Sequence, residues 1–213
     1  MKQGYFITFE GGDGAGKSTQ IGLLKEQLEK DGFEVILTRE PGGTRIGEKI
    51  RQLILDPGNT EMDGMTEALL YASARAQIVS ELIRPALSEG KVVICDRFVD
   101  SSIAYQGFGR GLGDAVGVIN SYAVNGCMPD LTIFLNLAPD QRTSRIAGRA
   151  LDRIEQAPDA FHSRVYEGYL RLAEEYPERI FSVDASGTIE QIAEQISRRV
   201  RDVIGQSGEA QGK

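Results

Sequence analysis

The stretch Gly11-Gly12-Asp13-Gly14-Ala15-Gly16-Lys17-Ser18 decides the fold of this 213-residue chain. It matches the pattern G-x-x-x-x-G-K-[ST], and it lies between an apolar run that ends at Glu10 and a helical pattern. In that context the glycines let successive backbone N–H groups converge on phosphate oxygens, and the helix N-terminus adds partial positive charge. The alternative is a glycine-rich turn, but chance would give the four fixed positions in fewer than roughly one such chain in a hundred. The sequence therefore predicts a phosphate-binding loop.

Individual positions of this loop have separate expected roles. Lys17 is expected to reach the β- and γ-phosphates of a nucleoside triphosphate, and the Ser18 hydroxyl is expected to bind Mg²⁺. Asp13 is unusual, because a carboxylate beside phosphates repels them. It is either a solvated or capping side chain, or it turns outward and accepts a hydrogen bond from a second substrate. The predicted ATP-binding residues are Gly11, Gly12, Asp13, Gly14, Ala15, Gly16, Lys17, Ser18 and Thr19.

Composition excludes several classes of protein. The chain has 24 basic and 31 acidic side chains, a formal charge of -7, which disfavours a nucleic acid polymer as partner. Two cysteines and one histidine argue against a disulfide scaffold and a Cys/His metal site. No apolar run approaches the roughly 20 residues of a membrane span, and the N-terminus shows no signal-peptide pattern. We therefore expect a cytoplasmic globular protein without a membrane partner.

Five short apolar runs alternate with helical patterns along the chain. The predicted strands are Tyr5–Glu10, Glu34–Thr38, Lys91–Cys95, Leu131–Asn136 and Ile180–Asp184. The clearest helical patterns cover Ser18–Asp31, Met65–Leu87, Asp159–Tyr176 and Thr188–Ile204. Several strands are apolar at almost every position, which is typical of a sheet covered on both faces. The alternation predicts an α/β fold of the P-loop NTPase type, a five-stranded parallel sheet with helices on both faces.

The same pattern predicts a single domain over residues 1–204 with a small helical lid. After the fourth strand come Arg142, Arg145, Arg149 and Arg153, whose spacing puts them near one helical face. Such a face is either a solvated surface or a lid, about residues 142–157, that closes over a triphosphate. Residues 205–213 contain no apolar side chain larger than alanine, and they are predicted to form a flexible C-terminal tail.

Other candidate residues follow the carboxyl ends of the strands, where ligands of such sheets bind. Asp96 ends the third strand and is placed to bind Mg²⁺ directly or through water, and Arg97 offers phosphate a planar donor fork. A structural Asp–Arg pair is the alternative. Tyr105 and Gln106 lie in a polar stretch and are suited to contacting a base, although a plain polar loop fits that stretch equally well. Arg51, taken alone, is more typical of a solvated helix charge.

Five motifs in this order resemble those of the bacterial thymidylate kinases. They are the phosphate loop, Thr38-Arg39-Glu40-Pro41-Gly42-Gly43, Asp96-Arg97-Phe98, Ala104-Tyr105-Gln106-Gly107 and Leu151-Asp152-Arg153-Ile154-Glu155. The resemblance runs from about Tyr5 to Ile204. It implies transfer of the ATP γ-phosphoryl group to thymidine monophosphate (dTMP), with Mg²⁺ as the cofactor, and a homodimer formed through a helical interface. A kinase for another nucleoside monophosphate and a non-catalytic nucleotide switch are the alternatives.

The resemblance also implies roles for individual residues. Those matched to the dTMP site are Asp13, Glu40, Arg51, Tyr71, Arg75, Arg97, Ser102, Tyr105 and Gln106. In the family's pattern Asp13 contacts the sugar 3′-hydroxyl and Tyr71 stacks on thymine. Arg75, Ser102 and Gln106 read the base, and Tyr105 disfavours a ribose 2′-hydroxyl.

The catalytic residues implied by the resemblance are cations. Family members with an acidic residue in the phosphate loop carry the catalytic arginine in the lid, and this chain has Asp13 and no arginine in that loop. The implied catalytic set is Lys17, Arg97, Arg145, Arg149 and Arg153. The acceptor phosphate oxygen is already ionised, so the transfer requires positioning and charge neutralisation and no general base.

Overall fold

A parallel sheet with the strand order β2-β3-β1-β4-β5 forms the centre of the fold in the computed structural model, which describes residues 4–142 and 151–209. Its strands are β1 Tyr5–Glu10, β2 Val35–Arg39, β3 Val92–Asp96, β4 Leu131–Asn136 and β5 Ile180–Asp184. All four pairings are parallel. The predicted five-stranded sheet is therefore confirmed, with β2 and β3 each beginning one residue later than the sequence pattern suggested.

Nine α-helices and two π-helical segments connect and cover the described part of the sheet. The α-helices are α1 Lys17–Lys30, α2 Arg45–Leu55, α3 Gly64–Ile78, α4 Arg84–Ser88, α5 Val99–Ser102, α6 Ala115–Val124, α7 Pro139–Arg142, α8 Asp159–Glu175 and α9 Ile189–Glu209. The π-helical segments, Val79–Ile83 and Ile103–Gly109, continue α3 and α5. In the described part of the chain, none of the helices has the length and apolar composition needed to cross a bilayer.

Alternate side chains of β1 pack against helices on opposite faces of the sheet. Ile7 and Phe9 belong to a core cluster with Leu24 of α1 and Ile196 of α9. Phe6 belongs instead to a cluster with Ile78 and Ile83, which lie on the helix that precedes β3. Burial on both faces explains why the central strands β1, β3 and β4 are almost continuously apolar.

The register of the sheet brings the functional loops together at one edge. Phe9 of β1 is paired with Asp96 of β3, so the phosphate loop after Glu10 and the segment that begins at Arg97 leave the sheet side by side. Parallel strands place all their carboxyl ends at this edge, which is why the candidate residues that follow different strands meet there.

One expectation differs from the structure near this edge. The polar stretch that follows Phe98 is not a loop; it forms α5 and the π-helical segment Ile103–Gly109, and it packs against α8. Its polar side chains are turned inward, because Ser101, Ser102 and Gln106 are all buried. The polar side chains that are typical of a loop here form hydrogen bonds in the interior of the protein.

The structure also differs in part from the predicted lid and the predicted C-terminal tail. Residues 151–157 form turns and not the predicted helix, because Asp152 Oδ1 accepts hydrogen bonds from the backbone N–H groups of Ile154 and Glu155, both at 2.9 Å. Arg145 and Arg149 lie outside the described residues.

The last helix continues to Glu209, past its predicted end at Ile204, because each added helical residue gains a backbone hydrogen bond. Residues 210–213 lie outside the described part.

Candidate active site

Two cavities adjoin at the carboxyl edge of the sheet and share a wall. The first, about 360 Å³, is lined by the phosphate loop, including Lys17, Ser18 and Thr19, and by Asp96. The second, about 260 Å³, extends toward α3 and the π-helical segment Ile103–Gly109. The residues common to both linings are Asp13, Glu40, Arg51 and Arg97. A group bound in one cavity is therefore adjacent to a group bound in the other.

The phosphate loop has positive φ angles, which favour glycine, at Gly11, Gly14 and Gly16. Gly11 has φ +129°, and a Cβ atom there would lie 2.6 Å from the carbonyl oxygen of Leu135 on β4. Gly16 has φ +92° immediately before α1, which begins at Lys17. These positive φ angles turn the loop tightly around the helix N-terminus, where unpaired N–H groups favour an anion.

Lys17 folds back onto this loop. Its Nζ donates to the carbonyl oxygens of Gly11 at 3.1 Å and Gly12 at 3.2 Å. Burial, together with the nearby Arg97 cation, lowers the pKa of Lys17 to about 8. An anion in this cavity would stabilise the charged form of the side chain and raise that pKa.

Ser18 and Asp96 fit the requirements of a magnesium ion. The hydroxyl-bearing Ser18 is exposed at the mouth of the phosphate cavity, and Asp96 lines the same cavity. The Oδ1 atom of Asp96 is buried and lacks a hydrogen-bond partner among the residues that the structure describes. Those residues contain no cluster of three or more His, Cys, Asp or Glu side chains able to hold a metal. Mg²⁺ is suited to such a site, because it takes most of its ligands from water and from substrate phosphates.

Arg97 stands at the junction of the two cavities in a strained backbone conformation. Its φ of +69° is unusual for a residue with a side chain, and such strain concentrates at functional sites. One guanidinium nitrogen donates to Asp13 Oδ1 at 2.9 Å, and the other donates to Ser101 Oγ and Tyr169 Oη, both at 3.3 Å. The structure thus brings together two predicted site residues, Asp13 and Arg97, that are 84 positions apart.

Glu10, at the end of β1, holds the segment that carries Arg97. Its carboxylate is fully buried and accepts hydrogen bonds from the backbone N–H groups of Phe98, at 2.7 Å, and Ser101, at 3.2 Å. Its other oxygen accepts from Ser101 Oγ at 2.5 Å and Tyr169 Oη at 2.8 Å. Burial, reinforced by Asp100, raises the pKa of Glu10. These contacts fix the backbone on the C-terminal side of Arg97.

The second cavity contains several residues predicted to bind a monophosphate acceptor. Tyr71, Tyr105 and Gln106 line it, together with Arg51. Arg51 donates to the Pro41 carbonyl oxygen at 2.9 Å, so it is held against the loop that follows β2. The Arg97 guanidinium lies 5.1 Å from the centre of the Tyr105 ring.

Arg75 and Ser102 lie behind this cavity and do not line it. Arg75 is 1% exposed; it donates to Ser102 Oγ at 2.8 Å and to the Phe98 carbonyl oxygen at 2.9 Å, and it also contacts Asn120. It pairs with Glu40 at 2.5 Å. Burial raises the pKa of Glu40 to about 7 even though Arg75 opposes the shift. The sequence identified both residues but not the ion pair that they form.

Arg153 makes contacts with the protein instead of facing the phosphate loop. It donates to Glu67 at 2.6 Å and to the Ile54 carbonyl oxygen at 2.8 Å, and its backbone N–H bonds the Leu55 carbonyl oxygen at 3.2 Å. These contacts hold residues 151–157 over the second cavity, where Asp152, Ile154 and Glu155 form part of the lining.

Three buried residues at the site were not predicted from the sequence: Glu10, Glu67 and Tyr169. Glu10 had a local signal, since it is a charged residue that ends an apolar strand. Glu67 and Tyr169 have none, because their partners come from distant parts of the chain.

Comparisons with known proteins agree with this geometry. Residues 9–196 match the family model described as Thymidylate kinase. A thymidylate kinase of Exiguobacterium sibiricum is 54% identical over 199 residues, which cover 92% of this chain and 94% of that protein. Those of Geobacillus sp. and Lactobacillus helveticus are 49% and 53% identical, and each alignment covers at least 91% of both chains. The chain therefore belongs to the thymidylate kinase family, the ATP-dependent nucleoside monophosphate kinases that phosphorylate dTMP.

Proposed function

We propose that the cavity at the phosphate loop binds ATP, that the second cavity binds dTMP, and that the γ-phosphoryl group passes between them beside Arg97. The observation that carries this proposal is the shared wall of the two cavities, formed by Asp13, Glu40, Arg51 and Arg97. Transfer between two bound phosphates requires this adjacency, because the attacking and leaving oxygens must lie roughly in line.

Catalysis in this arrangement rests on cations that are already positioned. Lys17 leaves the loop carbonyl oxygens for the β- and γ-phosphates, and Arg97 exchanges Asp13 for the phosphoryl group in transfer. Asp13 is then able to accept a hydrogen bond from the sugar 3′-hydroxyl. Ser18 and Asp96 would hold Mg²⁺, which neutralises phosphate charge. Fixed cations in a cavity that excludes water stabilise the transition state more than mobile ones do.

The lid contributes further positive charge in this proposal. Arg145 and Arg149 are assigned to the closing part of the lid, so they approach the triphosphate when ATP is bound. Arg153 is assigned to anchoring, since its contacts with Glu67 and the α2 carbonyl oxygens fix one end of the lid. Closure would exclude water and limit hydrolysis of ATP.

An acceptor panel tests the assignment. Release of ADP, coupled to a spectroscopic readout, is measured with ATP, Mg²⁺ and each common nucleoside monophosphate in turn. We expect dTMP to give the highest kcat/KM, because the cavity that contains Gln106 and Tyr105 is proposed to fit a pyrimidine deoxynucleotide. A purine monophosphate as the best acceptor would contradict the proposal.

The pKa of Lys17 leads to a prediction about ATP binding. In the free protein Lys17 titrates at about 8, and bound phosphates favour its charged form. At pH 7 the side chain is already mostly charged, so binding takes up few protons. At pH 9 it is about 90% neutral, so binding should take up close to one proton, and affinity should fall about tenfold per pH unit above 8.

Calorimetric titration with ATP, without dTMP, in two buffers of different ionisation enthalpy measures this uptake. The matched control is Lys17→Met, which should bind ATP more weakly and take up no proton at pH 9. Tight binding by the unaltered protein at pH 9 without proton uptake would show that Lys17 is not the phosphate ligand.

We also propose that the protein is a homodimer that associates through α2, α3 and α6. These three helices pack side by side and carry large exposed apolar side chains, namely Leu53, Leu69, Val118 and Tyr122. Tyr122 is 82% exposed, an unusual position for a tyrosine in a lone chain. Covering such side chains is favourable by roughly 25 cal/mol for each Å² of apolar surface removed from water.

Analytical ultracentrifugation tests the dimer. The unaltered protein should sediment at twice the 23.3 kDa mass of one chain. The double variant Leu69→Glu, Tyr122→Glu should sediment as a monomer, because two carboxylates cannot be buried unpaired. Tyr176→Glu, at the exposed C-terminal end of α8, serves as the control and should remain dimeric. A monomeric unaltered protein at micromolar concentration would refute this interface.

A further inference from the structure

Glu67 is a buried carboxylate near the start of α3, with no exposed surface. It accepts hydrogen bonds from three side chains: Gln106 Nε2 at 2.9 Å, Arg110 at 2.9 and 3.1 Å, and Arg153 at 2.6 Å. Burial by itself would raise the pKa of Glu67, but the hydrogen bonds from Arg110, Gln106 and Arg153 and the charge of Arg110 together lower it. Glu67 is therefore ionised when the protein is folded at neutral pH.

An ionised carboxylate accepts hydrogen bonds and cannot donate them. The amide of Gln106 must therefore turn its NH₂ group toward Glu67, although an unconstrained glutamine amide is free to present either end. The Oε1 atom of Gln106 is left as the acceptor of that amide, and no donor among residues 4–142 and 151–209 bonds it. Gln106 lines the second cavity with about 1% of its surface exposed. The base contact assigned to Gln106 in the proposed function would fall on this acceptor.

We propose that Glu67 is a positioning residue that sets base specificity by fixing the orientation of the Gln106 amide. With Nε2 held by Glu67, the amide offers an acceptor to the base. Thymine and uracil carry an N–H group at ring position 3, which satisfies that acceptor, whereas the corresponding nitrogen of cytosine is itself an acceptor. The inference rests on the proposed function, in which Gln106 contacts the base.

The same contacts explain why Gln106 alone would not give this selectivity. A glutamine that is free to rotate its amide would meet thymine with its oxygen and cytosine with its NH₂ group, at little cost for either. Discrimination arises because a reversed amide would point its carbonyl oxygen at the buried charge of Glu67. Specificity of this kind comes from a penalty placed on the wrong ligand.

The test compares three acceptors in the variant Glu67→Gln, which preserves the size of the side chain but lets it donate as well as accept. The kcat/KM values for dTMP, deoxyuridine monophosphate and deoxycytidine monophosphate are measured with saturating ATP. We expect the preference for dTMP over deoxycytidine monophosphate to fall by about tenfold or more. The preference for dTMP over deoxyuridine monophosphate should not change, because both bases have the N–H group. Two unchanged ratios, or an equal fall in both, would overturn the inference.

Two further variants separate this inference from the proposed function. Gln106→Leu removes the amide, so it should lose selectivity against deoxycytidine monophosphate. If it keeps that selectivity, the proposed base contact of Gln106 is wrong. If Gln106→Leu loses selectivity and Glu67→Gln does not, only the role of Glu67 is wrong.

Arg110→Gln is the matched control, because it removes a different partner of Glu67 and leaves the Gln106 contact in place. It should keep the selectivity of the unaltered protein; a loss equal to that of Glu67→Gln would overturn the inference.

If Glu67→Gln does not fold, as judged by circular dichroism, Glu67→Asp takes its place. The shorter aspartate keeps the charge but moves the carboxylate away from Gln106 Nε2, so selectivity should again fall. Full selectivity in this folded variant would overturn the inference.

Discussion

The buried carboxylate of Glu10 is the constraint on which the catalytic edge of the sheet depends. It ends β1 directly before the phosphate loop, and it bonds the backbone N–H groups of Phe98 and Ser101, which follow β3. One side chain therefore ties together the two segments that leave neighbouring strands. Arg97 lies inside the tied segment with φ +69°, a conformation that persists only where the surroundings hold it. Four hydrogen bonds to the Glu10 carboxylate stabilise this segment.

Four arginines in and around the site are each held by an acidic side chain. The pairs are Arg97 with Asp13, Arg75 with Glu40, Arg153 with Glu67, and Arg179 with Asp100. A chain with a net charge of -7 therefore keeps arginines in and around the site, each balanced by a carboxylate. In the proposed function, Asp13 holds Arg97 in place before substrate arrives, so little reorganisation is left for the reaction step. Of these pairs, Asp13–Arg97 lies on the wall between the two cavities, and there we propose that phosphate replaces the carboxylate.

The sheet and the phosphate loop were predictable from sequence because their signals are local: apolar runs, glycines at fixed spacing, and a helix that follows directly. The buried network was not, since Glu10 meets Tyr169 across 159 positions and Glu67 meets Arg153 across 86. The helical form of residues 99–109 was missed for a related reason. Its small and polar residues indicate a loop until their partners on other elements are known. The spacing of the arginines also predicted a helix at Arg153, where the structure has a turn. Asp152 forms that turn by accepting hydrogen bonds from the backbone just after it.

We propose above that Arg97, fixed at the junction of the two cavities, stabilises the phosphoryl group during transfer. The test is the single-turnover rate of transfer from ATP to dTMP in Arg97→Ala, with ATP affinity measured in parallel. Arg198→Ala, on the exposed face of α9, serves as the control. We expect a rate lower by about a thousandfold with ATP affinity largely retained, because such a loss is typical of a cation that acts mainly on the transition state. A transfer rate close to that of the unaltered protein would exclude Arg97 from the transfer step.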